Sequence, residues 1–277
     1  MTAAPTSTRP QRLSPPPRFH LWSRRVAVLA LTLALLAAVH VLAWRATEMS
    51  VSALVEGWRG MADFFEQAVP PDLRWNEVLR PALEAAEVTL YIGLLGTTLS
   101  VPPALALAVL AARTTTPNIA VYQAARSLLS FLRAVPEIVF ALVFVTAVGL
   151  GPFPGVMALL VHNVGVMGKL WSEAIEEVDA GPADVLRVGG ARPSQVVAHA
   201  IIPAVVPQFV GLLLYRFDVN VRSSLVLGLV GAGGIGFLIN QSIRLFRFDE
   251  MLTQILVVLV MIVAVDNASA VIRRRIA

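Results

Sequence analysis

The sequence predicts an all-α integral membrane protein with six transmembrane helices, a cytoplasmic loop of short helices and a glycine-rich re-entrant segment. Three observations carry that prediction. Hydrophobic residues make up 57% of the 277-residue chain and charged residues 14%, whereas soluble domains are about a quarter charged. Mean hydropathy is +0.73. The apolar residues also fall in uncharged runs long enough to cross about 30 Å of hydrocarbon.

Residues 1–25 hold five prolines, five arginines and no acid, the composition of a disordered basic tail. Residues 26–44 carry no Asp, Glu, Lys or Arg and form an uncleaved anchor. A secretory signal has an apolar core of about 7–15 residues and a small-residue cleavage site, and this run has neither. Residues 45–87 are a polar connection with eight acids and four arginines. Anchor and external loop make a first region, 26–79, ahead of a transmembrane domain at 80–277. The second span is 88–112, with Gly93, Gly96, Pro102 and Pro103 inside it; membrane helices tolerate such residues when neighbours pack closely and satisfy freed carbonyls. Residues 113–137 are polar. Residues 138–168 form a hairpin of two spans, broken at 149–155 by two prolines and three glycines. A fifth span covers 202–215. The sixth covers 251–272, holds Asp266 and ends in Arg273, Arg274 and Arg275.

Between the last two lies 223–243, uncharged but rich in glycine. The basic tail places the N-terminus in the cytoplasm. Six crossings put the Arg273–Arg275 cluster there too, whereas a seventh would put it outside. The economical solution is a re-entrant glycine segment, and 14 of the 22 Lys/Arg then lie inside. Irregular backbone at membrane depth must be buried in protein or line a wet cavity, which places this segment at a pathway.

Some functions are excluded. A chain without cysteine has no disulfide, thiolate zinc site or thiol nucleophile. The net charge of +4 is spread among apolar runs with no aromatic-interleaved basic face, so no nucleic-acid partner is expected. There is no His-Glu-x-x-His zinc signature, and no phosphate-binding Gly-x-x-x-x-Gly-Lys-Ser/Thr loop. No enzyme activity or metal is therefore expected of this chain.

Residues 169–207 stand apart as a polar, helical stretch between apolar runs. A helix over 172–179 stops at Ala180-Gly181-Pro182. A short one follows over 183–188, with Pro182 in its first turn and Gly189-Gly190 at its end, and Pro193 opens a third. The middle helix offers Val185 and Leu186 as apolar residues, with Asp184 and Arg187 as charged ones. A helix so short does not hold itself in water, so it docks in a partner's groove or is an ordinary loop.

Polar residues at membrane depth are functional candidates by default. Arg216, Asn220 and Arg222 are placed near the outer end of the fifth span. They suit an oxyanion, or else snorkel to headgroups or pair with Asp218. The backbone around Gly231, Gly233 and Gly234 presents amides to an anion or simply allows close packing. His162 and Asn163 join a pathway or a helix–helix hydrogen bond.

The pattern from Asp184 through Gly190 to Ile202-Pro203 resembles the EAA loop of ABC-importer permeases. Asp184 stands in the Glu place, Val185 and Leu186 in the two Ala places, Ala200 where the pattern has Ile, and Gly190 and Pro203 in the Gly and Pro places. Residues 140–155, 162–169, 173–180 and above all 215–236 resemble phosphonate-importer permeases, with phosphite and hypophosphite permeases similar over the same stretch. The resemblance covers about residues 80–275. It implies a type I importer permease that couples to its ATPase through Asp184, Val185, Leu186, Arg187, Gly190 and Pro203. Two ABC ATPase subunits, a periplasmic or lipid-anchored binding protein and a second permease copy would be its partners, in the bacterial inner membrane with both termini cytoplasmic. ATP and Mg would be bound by the ATPase and no cofactor by this chain. The substrate pathway would run past His162, Arg216, Asn220, Arg222, Gly231, Gly233 and Gly234. Ion-coupled secondary transport, or import of another small solute, are the alternative readings.

Overall fold

The computed structural model describes residues 24–276, and every regular element among them is helical. Residues 1–23 of the basic tail lie outside the described residues. The chain divides into two compact units, one ending at Met61 and the other beginning at Ala62.

In the first unit, α1 (Arg24–Ala46) is apolar all round and buries no residue against protein. Its Thr32 hydroxyl donates to the Val28 carbonyl, and His40 Nδ1 pairs with the Leu36 carbonyl. A helix satisfied internally and apolar on every face is suited to lipid. The helix α2 (Val51–Ala68) follows after four residues and continues across the unit boundary. It lies inside what the composition suggests is a plain polar connection. Its apolar and charged residues alternate with helical period, a pattern that bulk charge hides.

The second unit is built around α3 (Arg80–Ala111) and α6 (Pro152–Glu176). A π turn at Trp75–Leu79 leads into α3. That helix therefore starts before residue 88, because propensity continues through its charged outer turns where apolarity does not. Small residues set the α3–α6 approach: a Cβ on Gly96 would lie 2.6 Å from Leu159 Cβ, the close packing that membrane helices use. Next come α4 (Ile119–Ala134) and α5 (Glu137–Val148). They meet at a bend of 84°, so most of the polar stretch 113–137 is the helix α4. Pro136 causes the break. It supplies no N–H and disfavours helical backbone at Val135, which is extended at ψ 121°.

From α6 the chain turns through α7 (Ala180–Val188) and α8 (Pro193–Val196), then a π segment at Val197–Ile201, into α9 (Ile202–Leu229). The fifth span thus continues past Tyr215 to Leu229. Arg216 and Arg222 lie inside the helix and not at its outer end. The reason is that Asn220, Val221 and Ser224 all find partners on α3: Thr97, Gly93 and Thr89. A tight turn then leads to α10 (Gly234–Arg244) and α11 (Phe248–Ile276). Among the described residues, five helical stretches are long and apolar enough to cross a membrane, and six if the bent α4–α5 pair is one span.

Candidate functional site

Two groups of residues carry the functional expectations. One is α7, at the end of the second unit where α6 leaves off. Its Asp179 caps the helix by accepting from the Gly181 N–H at 3.1 Å. The other end closes with the Gly190 N–H on the Arg187 carbonyl and the Ala191 N–H on the Leu186 carbonyl, both at 3.0 Å. Gly190 takes φ +82°, the left-handed conformation this closure needs. Capping by Asp179 starts the helix at Ala180, earlier than the glycine and proline there suggest.

Ala183 is buried and Leu186 half-buried, both against a cluster that includes Trp171, Ile175, Val196 and Val205. Burial of these two holds the short helix in place. Leu186 therefore faces inward, and the expected apolar pair of Val185 and Leu186 is replaced by Val185 and Val188. These are 72% and 91% exposed and flank an Asp184–Arg187 ion pair of 2.7 Å. Val188 escaped the sequence reading because it adjoins the terminating glycines. Pro203 is exposed and follows the π segment after one residue, Ile202. The wider turn relieves the clash between its ring and the preceding carbonyl.

The second group lies at membrane depth. Arg216 is 8% exposed; it donates from Nε and Nη2 to Asn163 Oδ1 at 3.0 and 2.6 Å, and from Nη2 to Asn220 Oδ1 at 3.2 Å. Asn163 in turn donates to the Gly96 carbonyl, and Asn220 to Thr97 Oγ1 at 2.7 Å. Beside it, His162 Nδ1 faces the Val135 carbonyl at 3.1 Å. That carbonyl lies at the Pro136 break, so the tautomer carrying a proton on Nδ1 satisfies it. The other ring nitrogen lies 3.6 Å from Glu137 Oε2, while Ser223 donates to Glu137 Oε1 at 2.9 Å.

Glu137, which the sequence places with Arg133 and Pro136 as an architectural start to a span, belongs to this cluster, as does Thr97, which the sequence does not single out. Glu137 reads as an ordinary helix start, and a threonine in an apolar run has no distinguishing signal. Arg222 is not in the cluster. It points to α11, where it pairs with Asp266 at 2.6 Å, and Asp218 is taken by Ser269 at 2.5 Å and Arg273 at 3.4 Å. Six residues of helix separate Arg216 from Arg222, which turns them to different faces.

Gly231, Gly233 and Gly234 form the turn between α9 and α10, all at positive φ. Packing accounts for them. A Cβ on Gly233 would lie 2.8 Å from Pro152 N, and one on Gly234 would collide with the Thr89 hydroxyl. Several amides of the turn already have partners: Gly231 N–H on the Gly228 carbonyl, Ala232 N–H on the Leu227 carbonyl, and Ile235 N–H on Thr89 Oγ1. Gly231 also lines an open cavity of about 630 Å³ with Leu229, Phe237, Asn240 and Arg244.

A sequence profile for the binding-protein-dependent transport system inner membrane component matches residues 104–277. The chain belongs to this family. The permease is 41% identical over 232 residues to the phosphite transport system permease protein PtxC of Stutzerimonas stutzeri, covering 83% of each chain. It is 40% identical to the phosphate-import permease protein PhnE of Mycolicibacterium smegmatis, over 84% of this chain and 43% of that longer one. Its fold is that of the MetNI methionine ABC transporter in an inward-facing conformation, with a TM-score of 0.59 over 72% of this chain and 96% of that one at 22% identity. The permease is thus an ABC-importer component, and ion-coupled secondary transport is set aside.

Proposed function

We propose that this permease is the membrane subunit of an ATP-driven importer for a phosphorus oxyanion of the phosphite or phosphonate class. Two ABC ATPases would seat α7 in a groove, using Val185 and Val188 as apolar contacts and the Asp184–Arg187 pair as the polar rim. ATP and Mg would be held by those subunits. Two copies of the permease would share the pathway, a periplasmic or lipid-anchored binding protein would deliver the anion, and both termini would face the cytoplasm of a bacterial inner membrane. The observation that carries coupling is the exposed pair of valines on a helix capped at both ends, since two large apolar side chains in water point to a partner. The substrate class rests on likeness to PtxC over most of both chains.

Arg216 is the membrane-depth residue best suited to the anion path. Its hydrogen-bond acceptors are neutral amides, so no carboxylate is bonded directly to it, although the nearby Glu137 offsets part of its charge. His162 and Asn220 shape the path beside it, Gly231, Gly233 and Gly234 would border it further along at the turn after α9, and Arg222, paired with Asp266, contributes at most from the far face of α9. The test is purification of the tagged permease from native membranes, followed by uptake in vesicles with its co-purifying subunits. An ATPase in near-equal amount, with ATP-dependent uptake of phosphite or a phosphonate, is the expected result. A permease recovered alone after crosslinking sinks the coupling assignment. Uptake of an unrelated solute sinks the substrate.

A further inference from the structure

The helix α2 presents three faces, and nothing in the importer reading uses them. Phe64 and Ala68 pack inward, with the Phe64 ring 5.0 Å from that of Phe248. Leu54, Val55, Trp58, Met61 and Phe65 occupy a separate arc of about 120° by helical spacing, and all five are exposed. The adjoining arc beyond Val55 holds Glu66, Arg59, Asp63 and Glu56. An exposed stripe of five large apolar side chains needs a cover.

We infer that α2 is an interfacial helix, lying along the membrane surface where α1 emerges with Leu54, Val55, Trp58, Met61 and Phe65 in the boundary between headgroups and acyl chains. The chain itself selects that occupant. Only Thr47 to Ser50 separate α2 from α1, and four residues span at most about 14 Å. The end of a membrane-crossing helix thus delivers the start of α2 to the interface. Its polar face carries three acids and one arginine, so attraction to anionic lipid does not hold it. Apolar burial does, and tethering to α1 supplies a high local concentration. Trp58 sits mid-stripe, the residue type favoured at headgroup level.

The absence of cysteine makes the test direct. Single cysteines replace Leu54, Trp58 and Phe65 on one face and Glu56, Asp63 and Glu66 on the other, in the full chain reconstituted into phosphatidylethanolamine–phosphatidylglycerol vesicles. Each is labelled with a nitroxide, and its collision rates with oxygen, which partitions into lipid, and with a water-soluble nickel chelate are measured. The oxygen-to-nickel ratio should be several-fold higher at 54, 58 and 65 than at 56, 63 and 66. A flat or inverted pattern overturns the inference. Protection from both reagents at 54, 58 and 65 also overturns it, because a protein partner then covers the stripe. Should one variant fail to insert, Val55 and Met61 report on the same face.

Discussion

Asn163 does for Arg216 what a carboxylate does in most buried ion pairs. Its single Oδ1 accepts two guanidinium N–H groups, and its amide is fixed by the Gly96 carbonyl. Neutral acceptors take the Nε and Nη2 donors without forming a direct ion pair. Replacing Asn163 with Leu leaves a buried cation short of partners, at a cost of about 2–3 kcal/mol. Thermal unfolding in detergent should show this loss, and the additional change Arg216→Leu should recover part of it. Full additivity of the two changes would contradict the hydrogen-bond assignment. At Gly190 the constraint is conformational. A Cβ there meets nothing within 4 Å, yet φ +82° costs an L-residue about 1–2 kcal/mol. Gly190→Ala should therefore fray the end of α7 and lower transport while the chain still inserts. Uptake at the level of the unaltered protein would remove the requirement for this turn.

The element on which the proposed coupling depends is α7 on its base. Trp171 stacks on Phe209, with centroids 4.6 Å apart and planes 17° from parallel, and the cluster around them receives Ala183 and Leu186. Trp171 Nε1 is buried without a partner. Trp171→Phe removes that unsatisfied donor along with ring volume, so the two effects oppose and stability should change by less than about 1 kcal/mol. Phe209→Ala has no such offset and should cost about 3 kcal/mol or more. On the outer side of α7, Val188→Asp should leave unfolding unchanged but weaken association with the ATPase and uptake together. Loss of folding instead would mean that Val188 is packed. The first turn of α10 is less tolerant: a Cβ on Gly236 collides with the Leu225 carbonyl, and backbone cannot step aside as a side chain does.

At the scale of the whole molecule, alternation of spans places the α6–α7 connection and the α10–α11 connection at opposite ends of the second unit. Cysteines introduced singly at Glu177 and Arg247, both exposed, should react with an impermeant maleimide from opposite sides of sealed vesicles. Reaction from the same side would overturn the count of crossings. Much of this plan was legible in the sequence, because membrane insertion depends on local apolar length and span order on loops and charge. The short helix between Asp179 and Gly190 was legible too, since caps and turn glycines act within a few residues. The sequence by itself determined the fold class, the family resemblance and the position of the short-helix loop between Asp179 and Gly190. Only the tertiary structure decided which face each polar residue uses. It turned Leu186 inward and left Val188 out, joined Arg216 to Asn163 and Arg222 to Asp266, drew Glu137 beside His162, and stretched α9 to Leu229. These outcomes depend on partners dozens of residues away, and a buried polar group accepts whichever neighbour satisfies it.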